Sequence, residues 1–331
     1  MKKFIVFITI LIFVLSVNVY PQEKVGQAGC GFLDVATGAR ACGMGEAFTV
    51  IGQDALALFY NPSGIGEIDA NFDLSAGGTQ WIADINYLYL AAAFNAGVWG
   101  NFGFSLISPD YGEIYGTLVD SLDPQGWVDI GLVDVSAFCA GVAYAREFTD
   151  KFTVGLQAKY VTQHLGENQF LSDEVAGVID TVGNDLSTVA YDFGLLFYPG
   201  FTGFKSFAFG MSVRNFAPYV TYERVSFELP LTFTLGIGMD ILELFGDYPD
   251  YSFNIGADMS HPRDWEEQYR IGGELSFRDM FFLRVGYKIN CYAEGLNAGV
   301  GINMTGVKID YSYSKHELYD MVNRASIGFS F

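Results

Sequence analysis

Along most of the chain, large apolar residues fall on every second position. From Met280 to Ile289, Phe281, Leu283, Val285, Tyr287 and Ile289 share one parity, and Phe282, Arg284, Gly286 and Lys288 the other. Leu296, Ala298, Val300 and Ile302 alternate with Asn297, Gly299, Gly301 and Asn303 in the same way. So do Tyr251 to Ser260, Phe207 to Arg214 and Val307 to Ser314. A period of two marks strands whose two faces meet different surroundings. The pattern predicts about fourteen strands, at 70–80, 85–94, 98–107, 134–147, 152–164, 187–198, 204–215, 231–241, 251–260, 267–277, 280–289, 295–304, 307–314 and 324–331.

The second face decides the architecture. A soluble sandwich would turn a Lys- and Glu-rich face to water, but here that face carries Gly, Ser and Asn with isolated charges. That composition suits the lining of a lumen, with the apolar face turned to lipid. The connections agree: 108–133, 165–186 and 216–230 are long, whereas Asn95–Gly97, Phe148–Lys151, Pro199–Gly203, Arg278–Asp279 and Thr305–Gly306 are tight. Long loops on one side and short turns on the other are the habit of an outer-membrane barrel. The expected fold is therefore all-β: a fourteen-stranded antiparallel transmembrane β-barrel over residues 67–331. The last strand ends Ser326-Ile327-Gly328-Phe329-Ser330-Phe331, and Phe329 and Phe331 read as the assembly signal taken by the barrel assembly machinery.

The first residues carry an address. Lys2 and Lys3 precede an apolar run from Phe4 to Val17, too short to span a bilayer as a helix. Residues 1–20 read as a signal peptide cleaved between about Ser16 and Gln22.

Composition sharpens this reading. Charged residues make up only 17% of the chain and aromatics 16%, a mixture that needs lipid on one side. The net charge of −20 excludes nucleic acid as a partner, since a basic footprint is required there. Much of the acid falls in the predicted loops, at Asp110, Glu113, Asp120, Asp123, Asp129, Glu167, Asp173, Glu174, Asp180 and Asp185. Cys30, Cys42, Cys139 and Cys291 form no CxxC pair, although Cys30 and Cys42 are close enough in sequence to bridge. His164, His261 and His316 make no HExxH motif, and His164 and His316 fall at strand ends, where a wet rim position is expected. No G-x-S-x-G elbow occurs. The chain is read as non-enzymatic, with no catalytic, metal or cofactor-binding residues and no cofactor.

Residues 21–66 do not alternate. They are Gly-rich, with one short helical piece from Asp54 to Tyr60 that Asp54 can cap and Asn61-Pro62-Ser63-Gly64 can stop. The string Gly38-Ala39-Arg40, Gly43-Met44-Gly45, Ala47-Phe48, Asp54, Ala57 and Asn61-Pro62-Ser63-Gly64 resembles the N-terminal signature of the PorV/PorQ family, related to the FadL-like fatty-acid transporters. Ser63 stands where that signature more usually has Ala. The resemblance implies an outer-membrane barrel with an N-terminal plug in its lumen. It implies a partner-binding role in type IX-like protein secretion, with secretion-system subunits or cargo signal domains as partners. The alternative it implies is passive passage of a hydrophobic ligand. The plug motif residues are then Gly38, Arg40, Gly43, Gly45, Asp54, Asn61, Pro62 and Gly64. Arg40 is expected to meet Asp54, Glu274 or Asp258, and Gly43 and Gly45 to let the plug backbone approach the wall. Arg214, Asp258, Arg270, Glu274, Arg284 and Lys288 are the expected lumen charges.

Overall fold

The computed structural model describes residues 28–331 except 121–122, 174–177, 203, 223–224, 292–293 and 320. The expected signal peptide at 1–20, with residues 21–27, lies outside the described residues. Fourteen strands close into one antiparallel barrel. In chain order the strands are β1 (Phe72–Gln80), β2 (Asn86–Asn95), β3 (Asn101–Asp110), β4 (Ile114–Val119), β5 (Trp127–Val133), β6 (Ser136–Thr149), β7 (Phe152–Asp173), β8 (Val178–Phe197) and β9 (Ala208–Phe216). They continue with β10 (Val220–Thr221), β11 (Ser226–Phe227), β12 (Thr232–Asp240), β13 (Tyr251–Pro262), β14 (Gln268–Phe277), β15 (Phe281–Ile289), β16 (Glu294–Met304), β17 (Val307–His316) and β18 (Met321–Ser330). The pairs β4–β5 and β10–β11 stand outside the barrel. β1 meets β18 from Asp73↔Ser330 to Gln80↔Asn323, so the first and last strands close the sheet. Phe72 and Phe331 exchange two backbone hydrogen bonds of 3.0 Å at this seam.

The alternation is expressed as facing. On β15, Phe281, Leu283, Val285 and Tyr287 are at least half exposed on the outer face, while Arg284 and Lys288 are 5% and 6% exposed inside. Each large apolar residue placed outside is solvated by lipid, and each charge placed inside must find a partner.

Three connections differ from the sequence reading. Residues 108–133 contain the β4–β5 hairpin, built on the β-formers Ile114, Tyr115, Thr117, Leu118 and Val119. Residues 165–186 are not a free loop: β7 and β8 continue pairing to Asp173↔Val178. Their acids hid the strands, because charged residues are depleted in strands as a rule. The 216–230 stretch holds the small β10–β11 ladder.

Inside the barrel lies the segment that precedes β1. Ala28 pairs with Glu228, and the Gly29 amide donates to the Glu228 carbonyl at 2.9 Å, at the long-loop end. The segment leaves at Phe72, beside Phe331, at the short-turn end. It therefore threads the lumen along its length. It contains 3-10 turns at Gly31–Leu33, Ala55–Phe59 and Pro62–Glu67 and a single helical turn, α1 (Ala39–Gly43). Asp54 caps the second 3-10 turn by accepting from the Leu56 amide. Asn61 ends that turn and also opens the third, accepting from the Ser63 amide, with Pro62 at the first helical position. The expected stop is thus also a start, and Ser63 contributes a hydroxyl hydrogen bond of 2.7 Å to Asn61 Oδ1.

Candidate functional site: the filled lumen and its loop-end cavity

The wall glycines explain how a polypeptide fits inside. A Cβ on Gly286 would lie 2.1 Å from Gly45 N and from the Met44 carbonyl carbon, and one on Gly272 would lie 2.1 Å from Met44 O. Gly43 and Gly299 face one another, with a Cβ on either meeting the other's Cα at about 3 Å. On the other side of the lumen, Gly155 and Gly194 face Pro62 and Asn61-Ser63 with similar closeness. The inward face is small because backbone presses against it, rather than because water fills it. Gly45 also sits at φ 62°, where a side chain would be strained.

Charge then fixes the seating. Arg40 on α1 donates from Nε and Nη2 to the two oxygens of Glu274 at 2.9 and 2.8 Å, and from Nη1 to Asp54 at 2.6 Å. Glu274 also accepts from Arg284 Nε at 2.6 Å, and Arg284 Nη1 reaches Asp310 at 2.6 Å. The chain of charges runs Asp54–Arg40–Glu274–Arg284–Asp310, from the inner segment into three wall strands. Burial opposes the charge on Arg40, and the two carboxylates around it compensate. Asp258 takes the amides of Phe48 and Thr49, each at 3.0 Å, instead of Arg40. A second cluster joins Glu46 of the inner segment to Lys288, which also meets Glu294, and to Arg270 at 3.6 Å.

Above this seat, at the long-loop end, is a cavity of about 460 Å³ between residues 31–37 and 58–60 and the wall. Asp34, Glu46, Asp264 and Glu294 line it with Lys159, Arg214, Arg270 and Lys288, among aromatic rings such as Trp81, Tyr60 and Tyr87. Asp34 is exposed to this space.

The predicted lumen charges Arg214, Asp258, Arg270, Glu274, Arg284 and Lys288 all sit on the inner face, but in separate groups. Arg214 gives a 2.6 Å hydrogen bond to the Phe59 carbonyl. Of the other motif residues, Gly38 takes φ 84° before α1, and a Cβ on Gly64 would lie 2.0 Å from Gly52 O. Phe329 and Phe331 lie on the outer face and at the terminus, 37% and 73% exposed. Sequence reasoning did not single out Glu46, Arg324 or the pair Lys159–Asp192, which lies at 2.7 Å in the wall. Arg324 is 1% exposed and donates to Ala36 O and Ser314 Oγ. The parity of Val322, Ser326 and Gly328 would have placed it inside. His316 is not a wet rim residue: it is 7% exposed, and its Nδ1 accepts from the amides of Leu318 and Tyr319. All four cysteines are free, so Cys30 and Cys42 do not bridge.

Residues 129–324 match the family model described as type IX secretion system membrane protein PorP/SprF. A search of curated proteins finds no match. Among solved structures, the Pseudomonas putida toluene transporter TodX superposes with a TM-score of 0.56 at 13% identity, covering 94% of this chain and 99% of its own. A Pseudomonas aeruginosa FadL homologue gives 0.54 at 12%, covering 89% and 98%. At such identities the likeness is one of fold.

Proposed function

The chain belongs to the type IX secretion system membrane protein PorP/SprF family, and on that premise we propose that it is a non-enzymatic outer-membrane barrel that binds secretion partners at its long-loop end. The observation that carries this reading is the filled lumen. A segment threads the whole bore and is locked to the wall by Arg40, Glu274 and Arg284, so the bore is a support rather than a path. The loop end, by contrast, offers surface. Tyr115, Val119 and Leu132 on the β4–β5 hairpin are 61–76% exposed, among Asp110, Glu113, Asp120, Asp123 and Asp129. Secretion-system subunits and cargo signal domains are the partners of the stated chemistry. The test is purification from detergent-solubilised membranes of the native organism, with mass spectrometry of proteins and lipids. Stoichiometric co-purification of secretion-system proteins is expected. A protein recovered alone with bound hydrocarbon defeats the reading.

A second reading, passive transport of hydrophobic small molecules, has one observation in its favour. The β8–β9 register shifts between Tyr191 and Phe193, and beyond Tyr191 β8 has no registered partner on that side among the described residues. Saturable uptake of labelled toluene or oleate into vesicles would favour it. Against it stand the charges of the cavity, which an apolar solute would strip of water.

A further inference from the structure

We propose that the loop-end cavity is a binding site for a small zwitterion of the amino-acid or short-peptide class, with its ammonium on Asp34 and its carboxylate on Arg214. Most of the charges that line the cavity already have partners. Lys288 is shared by Glu46 and Glu294, Glu46 also faces Arg270, and Lys159 holds Asp192. Asp34, Asp264 and Arg214 are left without an ion pair among the described residues, and all three line the same space.

Arg214 is nonetheless fixed in place. Its Nη1 is tied to the Phe59 carbonyl at 2.6 Å, and its guanidinium lies 5.9 Å from the Tyr60 ring centroid. Its remaining donors have no partner among the described residues. Arg270, with a side chain 11% exposed, has a buried Nε with no hydrogen-bond partner there either. A positioned guanidinium with spare N–H groups is the group that takes a carboxylate.

The balance of charge selects the solute. A lone anion would face Asp34 and Asp264, and a lone cation would face Arg214 and Arg270. An apolar molecule would desolvate Asp34, Asp264 and Arg214 without pairing any of them. A molecule with both charges satisfies both sides, while Leu58, Phe59, Trp81 and Tyr87 supply apolar wall for a side chain. The volume, about 460 Å³, falls within the roughly 300–1,000 Å³ of small-molecule sites.

The experiment is calorimetric titration of the intact detergent-solubilised protein at pH 8. The probe is glycyl-phenylalanine with free ends. The comparisons are its N-acetyl amide, phenethylamine and phenylpropionate. One saturable site is expected for the free dipeptide, with affinity about ten- to a hundredfold higher than for any of the other three. Asp34→Asn and Arg214→Gln should each lower dipeptide affinity by at least about tenfold, with heat-modifiable gel mobility unchanged. Asp34 makes no side-chain hydrogen bond among the described residues, so Asp34→Asn keeps the test valid even if Arg214→Gln unseats Phe59. No dipeptide binding at millimolar concentration, equal binding of the blocked or singly charged compounds, or indifference to Asp34→Asn would overturn the proposal.

Discussion

Arg40→Met removes the central cation of the seat while keeping its apolar stem. Three charge-assisted hydrogen bonds are lost, two to Glu274 and one to Asp54. Taking one partner from a buried ion pair costs roughly 3–5 kcal/mol. Two features place this case at the low end. Glu274 keeps Arg284 at 2.6 Å, and Asp54 keeps the Leu56 amide at 3.0 Å. The Arg40 side chain is also 19% exposed, so part of its charge is already solvated. About 3 kcal/mol remains, or roughly a hundredfold more of the unseated state. The assay is limited proteolysis or hydrogen exchange of residues 28–70 in detergent, with the heat-modifiable gel band reporting the barrel. The inner segment should open about a hundredfold more often with the barrel intact. Adding Glu274→Gln should recover part of the loss, because it removes an acid left short of a cation. If Arg40→Met changes protection by less than about twofold, the ion network does not hold the segment.

Two further outcomes follow from the same geometry. Leu283→Arg puts a charge on a residue 60% exposed on the lipid face and should cost about 2–4 kcal/mol in refolding titrations into vesicles, whereas no loss would show that the position is wet. Gly286→Val would drive a side chain into the Met44–Gly45 backbone and should expose the inner segment to protease at a cost of about 1–3 kcal/mol, whereas unchanged protection would mean that the segment does not press on the wall there.

The wall was legible because lipid on one side and protein on the other impose a strict period of two. Phe281 to Ile289 needed no further information. The far end of the β7–β8 ladder was hidden because its acids, Glu167 and Asp173 among them, read as loop in the sequence. The reach of Arg40 was only half visible. Its neighbours Asp54 and Glu274 were named as candidates with Asp258, but Asp258 serves two backbone amides instead. Non-local choices of that kind depend on where the inner segment lies against the wall, which no local pattern encodes. The glycines of the inner face were seen and their cause was not: Gly272, Gly286 and Gly299 record the path of a second backbone. His316 was misplaced because its rim position is roofed by the amides of Leu318 and Tyr319.

A bore closed by its own chain should not conduct, and single-channel recording in planar bilayers compares the intact protein with a variant lacking residues 26–60. A lumen of fourteen strands is wider than side chains alone can fill, the limit being about eight. The intact protein should show little or no steady conductance, and the deletion should open large, long-lived channels. Large, steady, porin-like conductance from the intact protein would contradict the account.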